Sequence, residues 1–227
     1  MNPVVVNVGN GSWYSQGSVR LRDSVYDKSP GVDVLQWFNE LPPGAPSHEE
    51  SPYGFKVFAI HAAIAKGYRF ILWLDSAAVV QRPLDPLFDI VRRVGWYFQH
   101  NGYVLGEWSS DAALEKLGVT REDAMGMEDL VGGCFALDVK NPVAREFLDR
   151  ITTLAMDGVT FKGPWTNTDG ACSSDPRVRG HRHDQVAMSI VSRQMGMAWT
   201  PSDQNLFCNG IPHDRVPERY LISNFGM

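Results

Sequence analysis

A carboxylate follows a continuously apolar run in the first half of the chain. The run FILWL at 70–74 has the length of a strand, and Asp75 and Ser76 come directly after it. Such a run is typical of a strand that is covered on both faces, and ligands bind beyond the carboxyl ends of the strands in parallel α/β sheets. The pattern predicts a ligand-binding role for Asp75, to which Ser76 would add a hydroxyl. The alternative is that both residues only form the turn.

A second group of polar side chains begins a predicted helix. The segment GHRHDQ at 180–185 places His181, His183 and Asp184 at the amino end of an amphipathic pattern. Backbone N–H groups and the helix dipole favour anions at this position, which makes it a candidate phosphate site. In the alternative interpretation Asp184 only caps the helix, and His183 is a structural histidine.

Alternating strand and helix patterns must position these groups. The periodicity of apolar residues predicts one α/β domain over 1–227, with a mixed, mainly parallel sheet flanked by helices. The predicted strands cover 3–8, 32–38, 70–74, 96–100 and 133–139. The predicted helices run from about 15 or 18 to 28, and over 52–66, 85–94, 111–117, 142–155 and 183–195.

Composition and charge exclude several classes of protein. Of 227 residues, 44% are apolar and 21% charged, which is ordinary globular usage rather than disorder. No apolar stretch is long enough to span a membrane, and the first residues lack a signal-peptide pattern, so we expect a cytoplasmic protein. Three widely spaced cysteines indicate neither a disulfide framework nor a zinc knuckle. The net charge of -5 gives no general attraction to nucleic acid.

The segment ILWLDSAAVVQRPLDPLFDIV at 71–91 resembles the centre of the GT-A-fold glycosyltransferases, whose Rossmann-like fold binds a nucleotide sugar. Further segments are similar to small glycosyltransferase-like proteins of bacteria and phages. They are the opening strand with its Gly-rich turn, YGFK at 53–56, GGCFALD at 132–138 and GHRHDQ at 180–185. The resemblance implies transfer of a sugar from a nucleotide donor, with a UDP-sugar expected, to a hydroxyl that we expect to lie on a glycan.

The resemblance also assigns residues to parts of the site. It implies that Asp184 lies near the reacting sugar carbon or the acceptor hydroxyl and that Gln185 positions the substrate. The donor-binding candidates are Val8, Gly9, Ser12, Lys56, Asp75, Ser76, Gly132, Gly133 and His183. Gly132 and Gly133 would let a sugar approach the backbone closely, although a bulge or turn explains them equally well.

Acceptor binding is expected in the loop FKGPWTN, which lies between predicted helices. Trp165 would stack on a sugar there, Asn167 would supply polar contacts, and the loop would close over the donor.

A divalent cation is the expected cofactor. Members of the resembled family carry an Asp-x-Asp motif whose carboxylates hold Mn²⁺ or Mg²⁺ against the diphosphate. Asp75 matches the first carboxylate, but Ala77 stands at the third position. The metal is therefore held differently, or the enzyme works without one. His213 is a candidate ligand because glycogenin-like relatives complete the metal site with a late histidine, and ordinary loop placement is the alternative.

Three other functions stay open at this point. A phage-type enzyme that glycosylates hydroxymethylated bases in DNA would need a basic channel, which the Arg177–His183 cluster and Arg92–Arg93 would line. A non-catalytic sugar-nucleotide or glycan-binding protein would explain Ala77. The fragment HRHD at 181–184 resembles part of a metallohydrolase signature, but it lacks the further spaced histidines.

Overall fold

A mixed sheet forms the centre of the molecule, which the computed structural model describes for residues 2–225. The strands are β1 (Val4–Gly9), β2 (Asp33–Phe38), β3 (Phe70–Leu74), β4 (Ala78–Val80), β5 (Trp96–Tyr97), β6 (His100–Val104), β7 (Glu128–Leu130), β8 (Cys134–Asp138), β9 (Phe207–Asn209) and β10 (Ile222–Asn224). The helices are α1 (Ser12–Lys28), α2 (Phe55–Ala65), α3 (Asp85–Val94), α4 (Asp111–Leu117), α5 (Arg121–Met125), α6 (Pro142–Ala155) and α7 (His183–Gln194).

The central sheet has the strand order β2-β1-β3-β8-β5. β1 pairs in parallel with β2 and β3, whereas β8 is antiparallel to both β3 and β5. Four of the five strands therefore run in one direction, and the predicted mixed, mainly parallel α/β sheet is confirmed. The carboxyl ends of β1 and β3 meet at one edge, where the chain places Asp75.

Helices cover both faces of this sheet. Successive side chains of a strand point to opposite faces. Ile71 and Trp73 accordingly join the core formed with α2, α6 and α7, while Leu72 and Leu74 join the core formed with α1 and α3. This double coverage explains why the sequence of β3 is continuously apolar instead of alternating.

Some predicted boundaries are wrong. The helix predicted from 52 begins at Phe55, because Pro52–Gly54 form turns and Tyr53 has a φ of 63°. Helix α1 begins at Ser12, earlier than predicted. The strand predicted over 96–100 is two strands, because β5 joins the central sheet and β6 pairs with β7.

A smaller sheet of β4, β10 and β9 was not predicted. Its three-residue strands are too short to show a periodicity. β10 pairs antiparallel with β4, so the last described strand packs beside the turn that follows Asp75. None of the helices within residues 2–225 combines the length and apolar character needed to cross a membrane.

Candidate functional site

A cavity of about 580 Å³ opens at the carboxyl ends of β1 and β3. Its size lies within the range of small-molecule sites. Its walls include Val8, Asn10, Tyr14, Tyr53, Trp165 and the segment 75–77. The cavity therefore lies at the sheet edge where the sequence places Asp75.

The turn after β1 depends on a glycine. A Cβ atom on Gly9 would lie 2.2 Å from Ser18 Oγ and 2.8 Å from the carbonyl oxygen of Tyr14. Because residue 9 is a glycine, α1 packs close to the end of β1. The start of α1 consequently lies beside the cavity. Ser12 is exposed at the first residue of α1, so its predicted donor contact stays a prediction.

A buried polar network supports this edge from below. The Ser76 hydroxyl donates to the carbonyl oxygen of Val8 at 3.1 Å, accepts from Asn7 Nδ2 at 3.2 Å, and lies 3.0 Å from Ser18 Oγ. These bonds join β1, α1 and the turn after β3. They occupy the hydroxyl within the protein, and a contact of Ser76 with a donor stays a prediction.

Asp75 lies between the cavity and the protein interior. Its carboxylate accepts a hydrogen bond from Trp73 Nε1 at 2.8 Å and pairs with Lys56 Nζ at 3.2 Å, yet 38% of its side chain is exposed. A Cβ atom on Gly133 would lie 2.8 Å from Asp75 Oδ2. Gly133 therefore makes room for this carboxylate, which explains a glycine at that position without a sugar.

Lys56 is the buried cation of the site. Its ammonium lies 2.9 Å from Asp184 Oδ2 and 3.2 Å from Asp75 Oδ1, and it donates to the carbonyl oxygen of Gly132 at 2.9 Å. Burial by itself lowers the pKa of Lys56, but the carboxylates of Asp184 and Asp75 outweigh burial and raise it. Lys56 is therefore charged and joins α2, the end of β3 and the start of α7.

Asp184 and Gln185 lie on the other side of this lysine. Burial raises the pKa of Asp184 to about 6 against the opposing effect of Lys56. The Gln185 amide is fixed at both ends, because its Oε1 accepts from Gly132 N at 3.2 Å and its Nε2 donates to Asp129. The site thus places the buried carboxylate of Asp184 beside an amide of fixed orientation.

Sequence reasoning missed Asp129. It is buried on β7, its carboxylate also accepts from Asn101 Nδ2 and Tyr103 N at 3.3 Å, and burial raises its pKa to about 6. The only signal in the sequence is an acidic residue three positions before Gly132. That spacing does not predict a function, because Asp129 contacts Gln185 only when β7 packs against α7.

The two histidines of the GHRHDQ segment are buried and uncharged. His181 accepts from Ser110 N through Nδ1 at 3.3 Å and donates from Nε2 to the carbonyl oxygen of Thr160 at 3.0 Å. His183 donates from Nδ1 to the carbonyl oxygen of Phe161 at 2.9 Å. Burial lowers the pKa of His181 to about 3 and that of His183 to about 4. Neither histidine adds positive charge to a phosphate site at neutral pH.

The FKGPWTN loop packs against this segment. A Cβ atom on Gly180 would lie 1.9 Å from the carbonyl oxygen of Trp165, so the two stretches of backbone are in contact. Trp165 lines the cavity and packs edge-to-face on Tyr53 and His183. The Asn167 amide donates to the carbonyl oxygens of Ser173 and Val178 and accepts from two backbone N–H groups. These four bonds show that Asn167 shapes the loop, whose Trp165 side chain lines the cavity, and the predicted acceptor contacts of both residues stay predictions.

The side chains of the described residues do not fit a metal site built by the protein. No group of three His, Cys, Asp or Glu side chains within residues 2–225 is arranged to hold a metal ion. Ala77 offers no second carboxylate beside Asp75. His213 hydrogen-bonds Ser223 Oγ through Nδ1 at 2.7 Å and packs its ring against Phe225. Asp75 and His213, the suggested pair of metal ligands, thus make separate contacts, and the buried Nε2 of His213 has no hydrogen-bond partner among the described residues.

No protein-family model matches the chain, and no curated protein matches its sequence. Solved structures do match. The bifunctional glycosyltransferase WbbM, in its apo structure, aligns with 100% of this chain at 14% identity and a TM-score of 0.57. The chain shares the fold of this glycosyltransferase. It spans 46% of the WbbM chain, which is less than half of that protein.

Two further solved structures agree with this fold. A glycosyltransferase involved in the glycosylation of the major capsid of PBCV-1 covers 98% of this chain and is itself covered to 92%, with a TM-score of 0.54 and 13% identity. Mouse xyloside xylosyltransferase 1 in its apo form covers 98% and is covered to 97%, with a TM-score of 0.54 and 10% identity. Similarity at these identities shows the fold alone.

Proposed function

We propose that this protein transfers a sugar from a nucleotide-sugar donor to an acceptor hydroxyl on a glycan. One observation supports the proposal above all. Asp75 lines the open cavity and pairs with Lys56, which also pairs with the buried Asp184. Ligands of α/β folds bind at the carboxyl ends of strands. The glycosyltransferase fold of the chain supports the same interpretation.

The donor nucleotide is assigned to the cavity at the ends of β1 and β3. Tyr14 and Tyr53 supply aromatic walls, and the half-exposed Asp75 supplies a carboxylate that would accept hydrogen bonds from ribose hydroxyls. The diphosphate would lie towards the start of α1, whose first backbone N–H groups are uncapped by any side chain. A UDP-sugar is the donor that we expect.

The reactive centre is assigned to Asp184 and Gln185. In the transfer, the bond between the anomeric carbon and the diphosphate breaks and its electron pair leaves with the diphosphate. The acceptor oxygen bonds to that carbon and releases its proton to water, so that the products are the glycoside, the nucleotide and one proton. Positive charge develops on the sugar in the transition state, and the ionised, poorly solvated carboxylate of Asp184 would stabilise it.

Gln185 would hold the sugar through its amide. Asp129 and Gly132 fix that amide before any substrate arrives, and preorganised groups lose little entropy on binding. Since the described residues do not fit a protein-built metal site, the proposed reaction gives no role to Mn²⁺ or Mg²⁺ held by the protein. A dependence of donor affinity on these ions would show that the diphosphate itself supplies most of their ligands.

The contacts favour a glycan over DNA as the acceptor. Arg177 pairs with Asp175 at 2.6 Å and Glu122 at 2.5 Å, and Arg179 pairs with Glu107 at 2.9 Å. With both histidines neutral, Arg182 is the one unpaired cation among the described residues 177–183, and a single charge is little for binding a DNA backbone.

The proposal is tested with purified protein and a panel of UDP, GDP, CMP, dTDP and their common sugar conjugates. A ligand that binds only the native state raises the melting temperature. We expect one nucleotide to stabilise the protein and its sugar conjugate to be turned over with release of the nucleotide product. Stabilisation without any turnover would show a non-catalytic sugar-nucleotide-binding protein. A cooperative melt that no nucleotide shifts would overturn the proposal.

A further inference from the structure

One arginine beside the candidate site has no acidic partner. Within residues 2–225, the guanidinium of Arg182 takes part in no salt bridge and no hydrogen bond, although its charge lies over the ring of Trp108 at 3.8 Å and over the ring of Trp165 at 4.2 Å. The neighbouring Arg177 and Arg179 are both paired with carboxylates. Among the described residues 177–183, Arg182 is therefore the cation that is free to bind an anion from outside the protein.

The position of Arg182 is fixed by its backbone. Its N–H donates to the carbonyl oxygen of Trp108 at 3.0 Å, and its own carbonyl oxygen accepts from Gln185 N at 3.0 Å. Arg182 directly precedes α7, two residues before Asp184, and one of the rings that it contacts, Trp165, lines the cavity. A group bound by Arg182 would thus lie next to the reactive centre, on the side of the acceptor loop.

Stacking determines which chemistry the guanidinium can recognise. Two indole rings cover it, so its N–H groups are directed outward from the edge of the planar group. That edge matches a carboxylate, which accepts two parallel hydrogen bonds in one plane. Burial lowers the pKa of Arg182, and the nearby Asp129 opposes this effect. A guanidinium remains charged at any physiological pH, so the partly buried cation is without a hydrogen-bonded anion.

The rings beside Arg182 are suited to a sugar. Trp165 is 46% exposed and Tyr103, which packs edge-to-face on Trp108, is 55% exposed. Exposed aromatic rings that flank a cation provide apolar faces for a pyranose ring and a charge for one substituent. We propose that Arg182, Trp108 and Trp165 form an acceptor subsite for an acidic sugar, with a hexuronate carboxylate bound at the edge of the guanidinium. This inference rests on the proposed glycosyltransferase function.

The subsite is tested by direct binding. We would titrate a galacturonate trisaccharide and its methyl ester, which differ only in charge, into the protein saturated with the nucleotide found in the panel. The wild-type protein should bind the acid at least tenfold more tightly than the ester. Arg182→Gln should abolish that preference, and Arg182→Lys should retain part of it, because lysine keeps the charge but loses the planar pair of donors. Arg179→Gln, three residues away and already paired with Glu107, is the matched control and should keep the full preference.

The outcomes separate this inference from the function on which it rests. Nucleotide binding by Arg182→Gln that equals the wild type would show that the variant is folded. Equal affinity of the wild-type protein for acid and ester, with nucleotide binding intact, would overturn the acidic-sugar subsite and leave the transferase proposal standing. Tighter binding of a mannose 6-phosphate glycoside than of the galacturonate would overturn the assignment of a carboxylate. Absence of nucleotide binding would overturn the transferase proposal itself.

Discussion

Two aspartates share one lysine in this molecule, but their surroundings differ. Asp75 follows β3, and 38% of its side chain is exposed at the cavity, whereas Asp184 at the start of α7 is only 8% exposed. Lys56 lies 3.2 Å from the first carboxylate and 2.9 Å from the second. An exposed carboxylate is free to bind a polar ligand, whereas a buried one interacts more strongly with charge that develops beside it. The difference in exposure therefore supports the proposed roles, donor binding for Asp75 and transition-state stabilisation for Asp184.

The largest effect is expected when the shared lysine is removed. Lys56→Met would leave two carboxylates without their cation, and breaking a buried ion pair from one side costs about 3 kcal/mol or more. We expect a lower melting temperature and loss of nucleotide-sugar turnover. The destabilisation should be larger at pH 8 than at pH 5. Lys56 lowers the pKa of the buried Asp184, so its removal raises that pKa further, and the folded variant holds a proton at pH 5 that it loses as the pH rises.

The exposed Lys66, just after α2, provides the matched control for this variant. Lys66→Met should change the free energy of unfolding by no more than about 0.5 kcal/mol. Equal melting temperatures for the two variants would show that Lys56 does not hold the cluster together.

A smaller effect on stability, but a large one on rate, is expected for Asp184→Asn. The amide keeps the shape of the side chain and loses the charge that would face the reacting sugar. Loss of one electrostatic stabiliser typically lowers kcat by about 100- to 1,000-fold. Single-turnover measurements would check this, and a variant that retains more than a tenth of the wild-type rate would remove Asp184 from the reactive centre.

The pH dependence of the reaction tests whether Asp184 acts in its ionised form. Burial raises the pKa of Asp184 to about 6, and the ionised form is the one that stabilises positive charge. Turnover should therefore increase with pH up to about 6 and then level off. Asp129 also has a pKa of about 6, so Asp129→Asn is measured in parallel. Loss of the acidic limb in Asp129→Asn would assign the titration to that residue instead.

The smallest effect is expected below the cavity. Ser76→Ala removes hydrogen bonds to Val8 and Asn7, each contributing about 1 kcal/mol to stability. The melting temperature should fall slightly while nucleotide affinity stays within a factor of about two. A tenfold loss of affinity without a change in melting temperature would instead show that the Ser76 hydroxyl contacts the donor.

The parts of the fold that were predictable carry strong local patterns. Strand β3 and helices α3, α4 and α6 have the predicted bounds, because a continuous apolar run, an early proline or a helical period marks each of them. The three-residue strands of the smaller sheet carry no such signal. The switch of sheet between Tyr97 and His100 depends on which partner each strand finds, β8 or β7, and no local pattern encodes that choice.

The candidate site was predictable in its positions but not in its connections. Asp75 and Asp184 were predicted from local patterns and Lys56 from the family resemblance, yet their ion pairs join positions that are far apart in the chain. The glycines had local explanations as turns, whereas the structure shows that Gly133 makes room for Asp75. The sequence does not show that Asp129 and Arg182 lie at the site, because β7, α7 and the Trp165 loop come together only in the folded chain. Tertiary packing, which a single sequence does not display, supplies that information.

The most direct test of this account measures binding and turnover in the same samples. The nucleotide sugar that stabilises the protein most would be titrated into the wild type, Asp75→Asn and Asp184→Asn, with release of the nucleotide product followed over time. We expect Asp75→Asn to bind the nucleotide sugar at least tenfold more weakly than the wild type does. We also expect Asp184→Asn to bind like the wild type but to release almost no product. Identical defects in the two variants, or no binding by the wild type, would contradict the proposed roles of the two aspartates.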